Sequence, residues 1–125
     1  MKVIVLMENT ALEGCGLTPE HGLSLYIEYR GRKLLLDAGS SGKFADNAQA
    51  LGVDLSGVEL AVLSHGHYDH ADGLRRFFQV NDRAKVYARP GADGPYFSMR
   101  KDGPCFIGVH RDIWTQSQDR FVSVD

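Results

Sequence analysis

Several classes of protein are excluded by what this chain has little of. Among its 125 residues there are two cysteines, Cys15 and Cys105, set in neither CxxC nor CxH spacing. A disulfide framework is not suggested, and without a secretory leader the two read as free thiols of a cytoplasmic protein. The opening run from Met1 to Met7 is apolar after Lys2. Glu8-Asn9-Thr10 stops it early and no small-residue cleavage site comes after it, so it reads as a strand. No apolar run approaches the roughly 20 residues that cross a bilayer. Positive charge is equally scattered. The closest approach to a stripe, Arg30-Gly31-Arg32-Lys33, is broken by glycine, and the formal net charge is -2. Neither nucleic acid nor a membrane surface is implied as a partner. Also missing are a Gly-x-Ser-x-Gly elbow, a phosphate-binding glycine loop, a low-complexity tract, a linker and an internal repeat. The length fits one domain, with enough chain to bury a core unaided.

What is present alternates between strand and helix patterns. VIVLM predicts a buried strand. GLSLYIEY places Leu23, Leu25 and Ile27 on one side and Ser24, Tyr26 and Glu28 on the other, a half-exposed strand. RGR turns it back into KLLLDAG, so the two form a hairpin. Ser41 predicts an N-cap for a helix from Lys43 to Leu51, with Phe44, Ala48 and Leu51 on its inner face and Gly52 as its stop. VELAVLS, AKVYAR and RFVSVD predict further strands, and Leu74, Phe77 and Phe78 the inner face of a short helix. Glycines and prolines from Arg89 to Pro104 predict a long loop, with Tyr96, Phe97 and Arg100 able to help cover a ligand. The expected class is α/β.

Chemistry concentrates in AVLSHGHYDHADGL, where a strand ends and a helix begins. The carboxyl ends of strands in α/β sheets are where sites are built. The pattern is H-x-H-x-D-H: His65, His67, Asp69 and His70. Neutral imidazole offers a nitrogen lone pair, and two histidines at i and i+2 of extended backbone point the same way. His65 and His67 are thus expected to grip one ion, with Asp69 and His70 aimed at a second position about 3.5–4 Å away. Gly66 allows a tight bend and Tyr68 points elsewhere. A chance cluster is the competing reading, in roughly one chain in a thousand. Three crowded imidazoles without a metal or acid partner would, however, repel one another when protonated.

LSHGHYDHADGL resembles the signature of the metallo-β-lactamase superfamily. LLLDAGSSGKF resembles the strand end that precedes its first long helix. EHGLSLYIEY and NAQALGVDLSGVELAVLSHGHYDH resemble one branch of it, the pterin-ribofuranosylaminobenzene phosphate synthase-like metal-dependent hydrolases. The resemblance implies an αββα sandwich of two similar halves. It also implies zinc or another divalent ion, manganese or iron included, in one or two copies. Asp69 would be the catalytic residue, ligating and orienting a metal-bound hydroxide. By the same resemblance Asp37 braces the metal loop and His21 stands beside the site.

Beyond the motif the chain departs from the family. The family's second half supplies further ligands, in this branch from a stretch like GCSHxG, and the chain has none. Its one later histidine, His110 in IGVHRD, reads as a solvated loop residue. The expectation is therefore a single domain over 1–125: half a sandwich, a mixed sheet with helices on one face, lacking the C-terminal half. Val3, Val5, Leu23, Leu25, Leu34, Leu36, Val62 and Val86 would leave an apolar sheet face, covered by a second copy in a homodimer or by a complementing second-half chain. Two functions stay open. One is a metal-dependent hydrolase of a small ester, phosphoester or pterin-precursor substrate. The other is a non-catalytic metal-binding module that associates with a partner.

Overall fold

A hairpin organises the first half of the chain. In the computed structural model, which describes residues 1–125, strands β2 (Ser24–Tyr29) and β3 (Arg32–Leu36) are antiparallel, with Tyr29 opposite Arg32. Only Arg30 and Gly31 connect them, and both take positive φ, 50° and 75°. That is the two-residue turn whose twist matches paired strands. Strand β1 (Lys2–Met7) lies antiparallel along the other side of β2. From β3 onward the sheet is parallel: β4 (Leu60–Val62), β5 (Lys85–Ala88) and β8 (Phe121–Ser123) come next in the order β1-β2-β3-β4-β5-β8. The sheet is mixed, as expected, with strands at the expected places.

Register separates the two faces. Ile4, Tyr26, Leu35, Ala61, Val86 and Phe121 are successive cross-strand partners and share one side. Tyr26, Leu35, Ala61 and Val86 are buried in one cluster with Phe44 and Ala48 of helix α1 (Lys43–Ala50) and Leu74 and Phe77 of helix α3 (Leu74–Val80). Helices therefore cover this face. The other face carries two rows: Val3, Ile27, Leu34 and Leu60, then Val5, Leu25, Leu36, Val62, Tyr87 and Val122. None of these is fully buried, and Val5 and Val62 are 48% and 38% exposed. Val86, grouped with them by sequence, belongs to the covered face and is wholly buried. Its parity along β5 puts it opposite Tyr87.

Three local expectations are corrected. Leu51 lies beyond the end of α1 and is 41% exposed, because the helix stops one residue early and buries Asn47 instead. The Asn47 amide donates to the carbonyls of Leu6 and Thr18, so a polar side chain does the tethering there. Gly42 occupies the N-cap position of α1, though the Ser41 hydroxyl does accept from Lys43 N–H. The long loop from Arg89 to Pro104 is half a ribbon: β6 (Phe97–Arg100) pairs with β7 (Gly103–Phe106), turning at Lys101 and Asp102. Gly103 and Pro104 disguised it, since a two-stranded ribbon is all edge and tolerates proline.

The loop after β3 is held by close backbone packing. Gly73, just before α3, donates to Gly39 O at 3.1 Å. A Cβ on Gly73 would stand 1.8 Å from Ala38 O and 2.6 Å from Ser41 O. Gly73→Ala should therefore cost about 2 kcal/mol or more, as overpacking does. In Gly57→Ala the new Cβ meets only the Lys33 side chain at 3.5 Å, and stability should hold. Urea unfolding of the two variants checks this, and equal stabilities would show that the loop yields.

Candidate metal centre

The four motif residues occupy a strand-to-helix turn. β4 ends at Val62, Leu63 donates to Tyr87 O, and the chain runs through Ser64–His67 into the single-turn helix α2 (Tyr68–Ala71). Gly66 is buried where the Ala92 backbone crosses it, and a Cβ would meet Ala92 O at 1.9 Å. Close approach of another segment, beyond a tight bend, is why glycine sits between the two histidines.

Asp37, one residue past β3, is the hub. It is 2% exposed and takes φ 58°, a left-handed conformation that costs a non-glycine residue about 1 kcal/mol or more. The surrounding bonds hold it there. Asp37 N–H donates to Val62 O, and its carbonyl accepts from the Ser24 hydroxyl. Its Oδ1 accepts from Ser64 N–H at 2.7 Å, and its Oδ2 accepts from the Ser64 hydroxyl at 2.6 Å and faces His70 Nδ1 at 2.7 Å. An ionised carboxylate only accepts, so His70 carries its proton on Nδ1 and Nε2 keeps its lone pair. The Ser64 hydroxyl directs its one O–H at Asp37 Oδ2. It therefore accepts from His65 Nδ1, 2.9 Å away, which frees His65 Nε2 in the same way.

One buried carboxylate thus sets two imidazoles in the ligand tautomer. This is the usual arrangement behind a metal-binding histidine. Burial, then repulsion from His70 and His67, holds the His65 pKa below the ordinary histidine value, which favours the neutral form that binds metal. Ligand atoms of His65, Asp69 and His70 lie within 4.8 Å of one another. His70 Nε2 is 3.5 Å from Asp69 Oδ2. Two imidazoles and a carboxylate suit zinc and similar divalent ions.

Three of the four motif side chains thus converge. His67 stands outside the trio, its ring 4.6 Å from that of His65 and 5.7 Å from that of Tyr96. The bridge of His67 to Gly108 and the Tyr68 N–H bond to Ile107 O hold it from the other side. His21 reaches the site, its Nε2 3.1 Å from Asp69 Oδ2. His110 is not simply solvated. Its backbone N–H and its Nδ1 both bond the buried carboxylate of Asp72, and it lies outside the trio. Ser64 and Asp72 escaped the sequence reading. Ser64 had one available signal, its place between a strand end and His65.

The chain resembles known proteins over much of its length. The family model of the metallo-β-lactamase superfamily matches residues 17–104. An uncharacterized protein of Methanocaldococcus jannaschii is 34% identical over 111 residues, 87% of this chain and 41% of that protein. The 7,8-dihydropterin-6-methyl-4-(β-D-ribofuranosyl)-aminobenzene-5'-phosphate synthase of the same organism is 26% identical over 96 residues, 72% of this chain and 33% of that one. Among solved structures, the subclass B3 metallo-β-lactamase MEM-A1 from a soil metagenome library superposes with a TM-score of 0.54. It is 22% identical, over 82% of this chain and 39% of that one, a likeness of fold. The chain thus spans less than half the length of these relatives. Members of the family bind divalent metals, zinc most often. A strand-end aspartate that sets two imidazoles, an H-x-H-x-D-H turn and a match over most of the chain agree: this chain belongs to the metallo-β-lactamase superfamily.

Proposed function

We propose that this chain carries the metal-binding half of a metal-dependent hydrolase, with His65, His67, Asp69 and His70 as ligands and Asp69 also orienting the attacking water. The observation that carries this reading is the Asp37 network, which leaves the Nε2 lone pairs of His65 and His70 free beside Asp69. A bound divalent ion, zinc by preference, would lower the pKa of its water toward about 7 and polarise the oxygen under attack. The residues hold and aim; no separate nucleophile is needed. Substrates of the ester or phosphoester class fit that chemistry. Similarity to the dihydropterin phosphate synthase extends the proposal to a phosphate-bearing pterin precursor. The uncovered apolar face supports association with a second copy or with a chain supplying the other half. It equally favours a second reading, a metal-binding module without turnover.

Calorimetric titration of chelator-stripped protein with zinc tests the metal, and release of nitrophenol from bis(p-nitrophenyl) phosphate and p-nitrophenyl acetate tests turnover. Uptake of one or two ions with zinc-dependent hydrolysis is expected. Uptake without hydrolysis would favour the module, and absence of uptake would end both readings.

A further inference from the structure

His21 sits in the loop that leads into β2, more than forty residues before the motif, and its side chain is 63% exposed. An exposed histidine usually samples many orientations, yet this one is fixed from several sides. The Ser40 hydroxyl donates to its carbonyl. The next residue, Gly22, packs so closely on Asp69 that a Cβ would lie 2.2 Å from Asp69 O. Leu23 N–H donates to that same carbonyl at 3.3 Å. The backbone around His21 is thus seated on the backbone of Asp69, and the ring goes with it, with Nε2 3.1 Å from Asp69 Oδ2.

Asn9 determines which nitrogen of His21 carries the proton. Its Oδ1 accepts from Gly22 N–H at 3.1 Å, which fixes the orientation of the amide. Its other terminal atom, Nδ2, then faces His21 Nδ1 at 3.4 Å. An amide nitrogen only donates, so Nδ1 accepts and is bare. In neutral His21 the proton is on Nε2, facing Asp69. This is the opposite tautomer from His65 and His70. Those two keep Nε2 free, and His21 spends Nε2–H on a carboxylate oxygen.

We propose that Asn9 and His21 are positioning residues of the metal centre: Asn9 holds His21 as the Nε2–H tautomer, and His21 donates to Asp69 Oδ2 and aims that carboxylate at the ion without ligating it. A carboxylate oxygen has lone-pair capacity for both a donor and a metal, and hydrogen-bonded carboxylate ligands are the rule at such centres. Two segments far apart in sequence, Asn9 and His21 on one side and Asp37 and Ser64 on the other, would then orient the ligand set by complementary tautomers. The inference rests on the metal-centre reading for its purpose, and on hydrogen-bond geometry alone for the tautomer.

The experiment has two arms. On the metal-free protein, nitrogen-15 spectroscopy of the imidazoles should show the Nε2–H tautomer of His21. In Asn9→Asp an acceptor replaces the donor opposite Nδ1, and that nitrogen should become protonated. On zinc titration, His21→Ala should bind about 10–100-fold more weakly. His21→Gln, whose amide can still donate but which is a poor ligand, should recover most of the loss. A bare Nε2 on His21 in the parent would overturn the proposal. Equal losses in the Ala and Gln variants would overturn it by making His21 a ligand, and an unchanged Ala variant would overturn it by making the contact incidental. If the parent takes up no zinc, the metal reading falls, and the spectroscopic arm still decides the tautomer.

Discussion

Removing the His70 imidazole is expected to weaken zinc binding more than any other single change, by upwards of about 100-fold, the top of the range for residues that merely support a ligand. His70→Ala deletes a nitrogen from the His65–Asp69–His70 trio and also strips a partner from Asp37. The more instructive variant is Asp37→Asn, which keeps shape and size. Its Oδ1 can still accept from Ser64 N–H, but Nδ2 then faces the Ser64 hydroxyl and His70 Nδ1, both donors in the parent. To avoid two donors meeting, His70 must move its proton to Nε2, the atom that would face the ion. The fold should persist, since the backbone bonds of Asp37 to Val62 and Ser24 remain. Zinc affinity should fall about 10–100-fold. His110→Ala, outside the trio, should leave affinity unchanged. Calorimetric titration of the three variants checks the set. Unchanged binding in Asp37→Asn, or an equal loss in the His110 variant, would refute the assignment.

The strands and the motif were legible in the sequence for a simple reason. Alternation in SLYIEY and the Arg30-Gly31 turn are local, and locally determined structure can be read locally. The role of Asp37 was legible only through resemblance. Its bonds to Ser64 and His70 span 27 and 33 residues, and nothing about DAG by itself announces a left-handed, buried carboxylate. The same distance hid the Asp72–His110 contact, 38 residues apart, so that His110 looked like a loop histidine. The pairing of ligands was expected from i, i+2 geometry. In the fold, the His65 ring lies between those of His67 and His70, 4.6 and 4.3 Å away, and Ser64 meets it at Nδ1. Parity misplaced Val86 for a related reason. A strand of four residues has too few alternations to fix its face until its partners, Ala61 and Phe121, are known.

The second large effect is expected in solution size. Six strands spaced about 4.8 Å make the uncovered face some 24 Å wide. It carries the two apolar rows from Val3 to Leu60 and from Val5 to Val122. Charge is confined to its margins. Arg32 is paired with Glu59, and Lys85, next to Leu60, bonds the Asp119 carbonyl. A continuous apolar surface of this breadth belongs to an interface or to an aggregation liability. Two copies packed face to face about a two-fold axis would bury it with the same residues on both sides, as an isologous contact requires. Light scattering at low micromolar concentration should therefore report about twice the 13.8 kDa chain mass, or larger species. Val62→Glu places a carboxylate at the centre of the face, on β4, where burial against a second sheet would strand an unpaired charge. That variant should be monomeric at the same concentration. The His65–Asp69–His70 trio, built on the turn beyond β4, should be intact. A parent chain that scatters as a clean monomer would mean the face is tolerated in water, and a Val62→Glu variant that still associates would mean that association uses another surface.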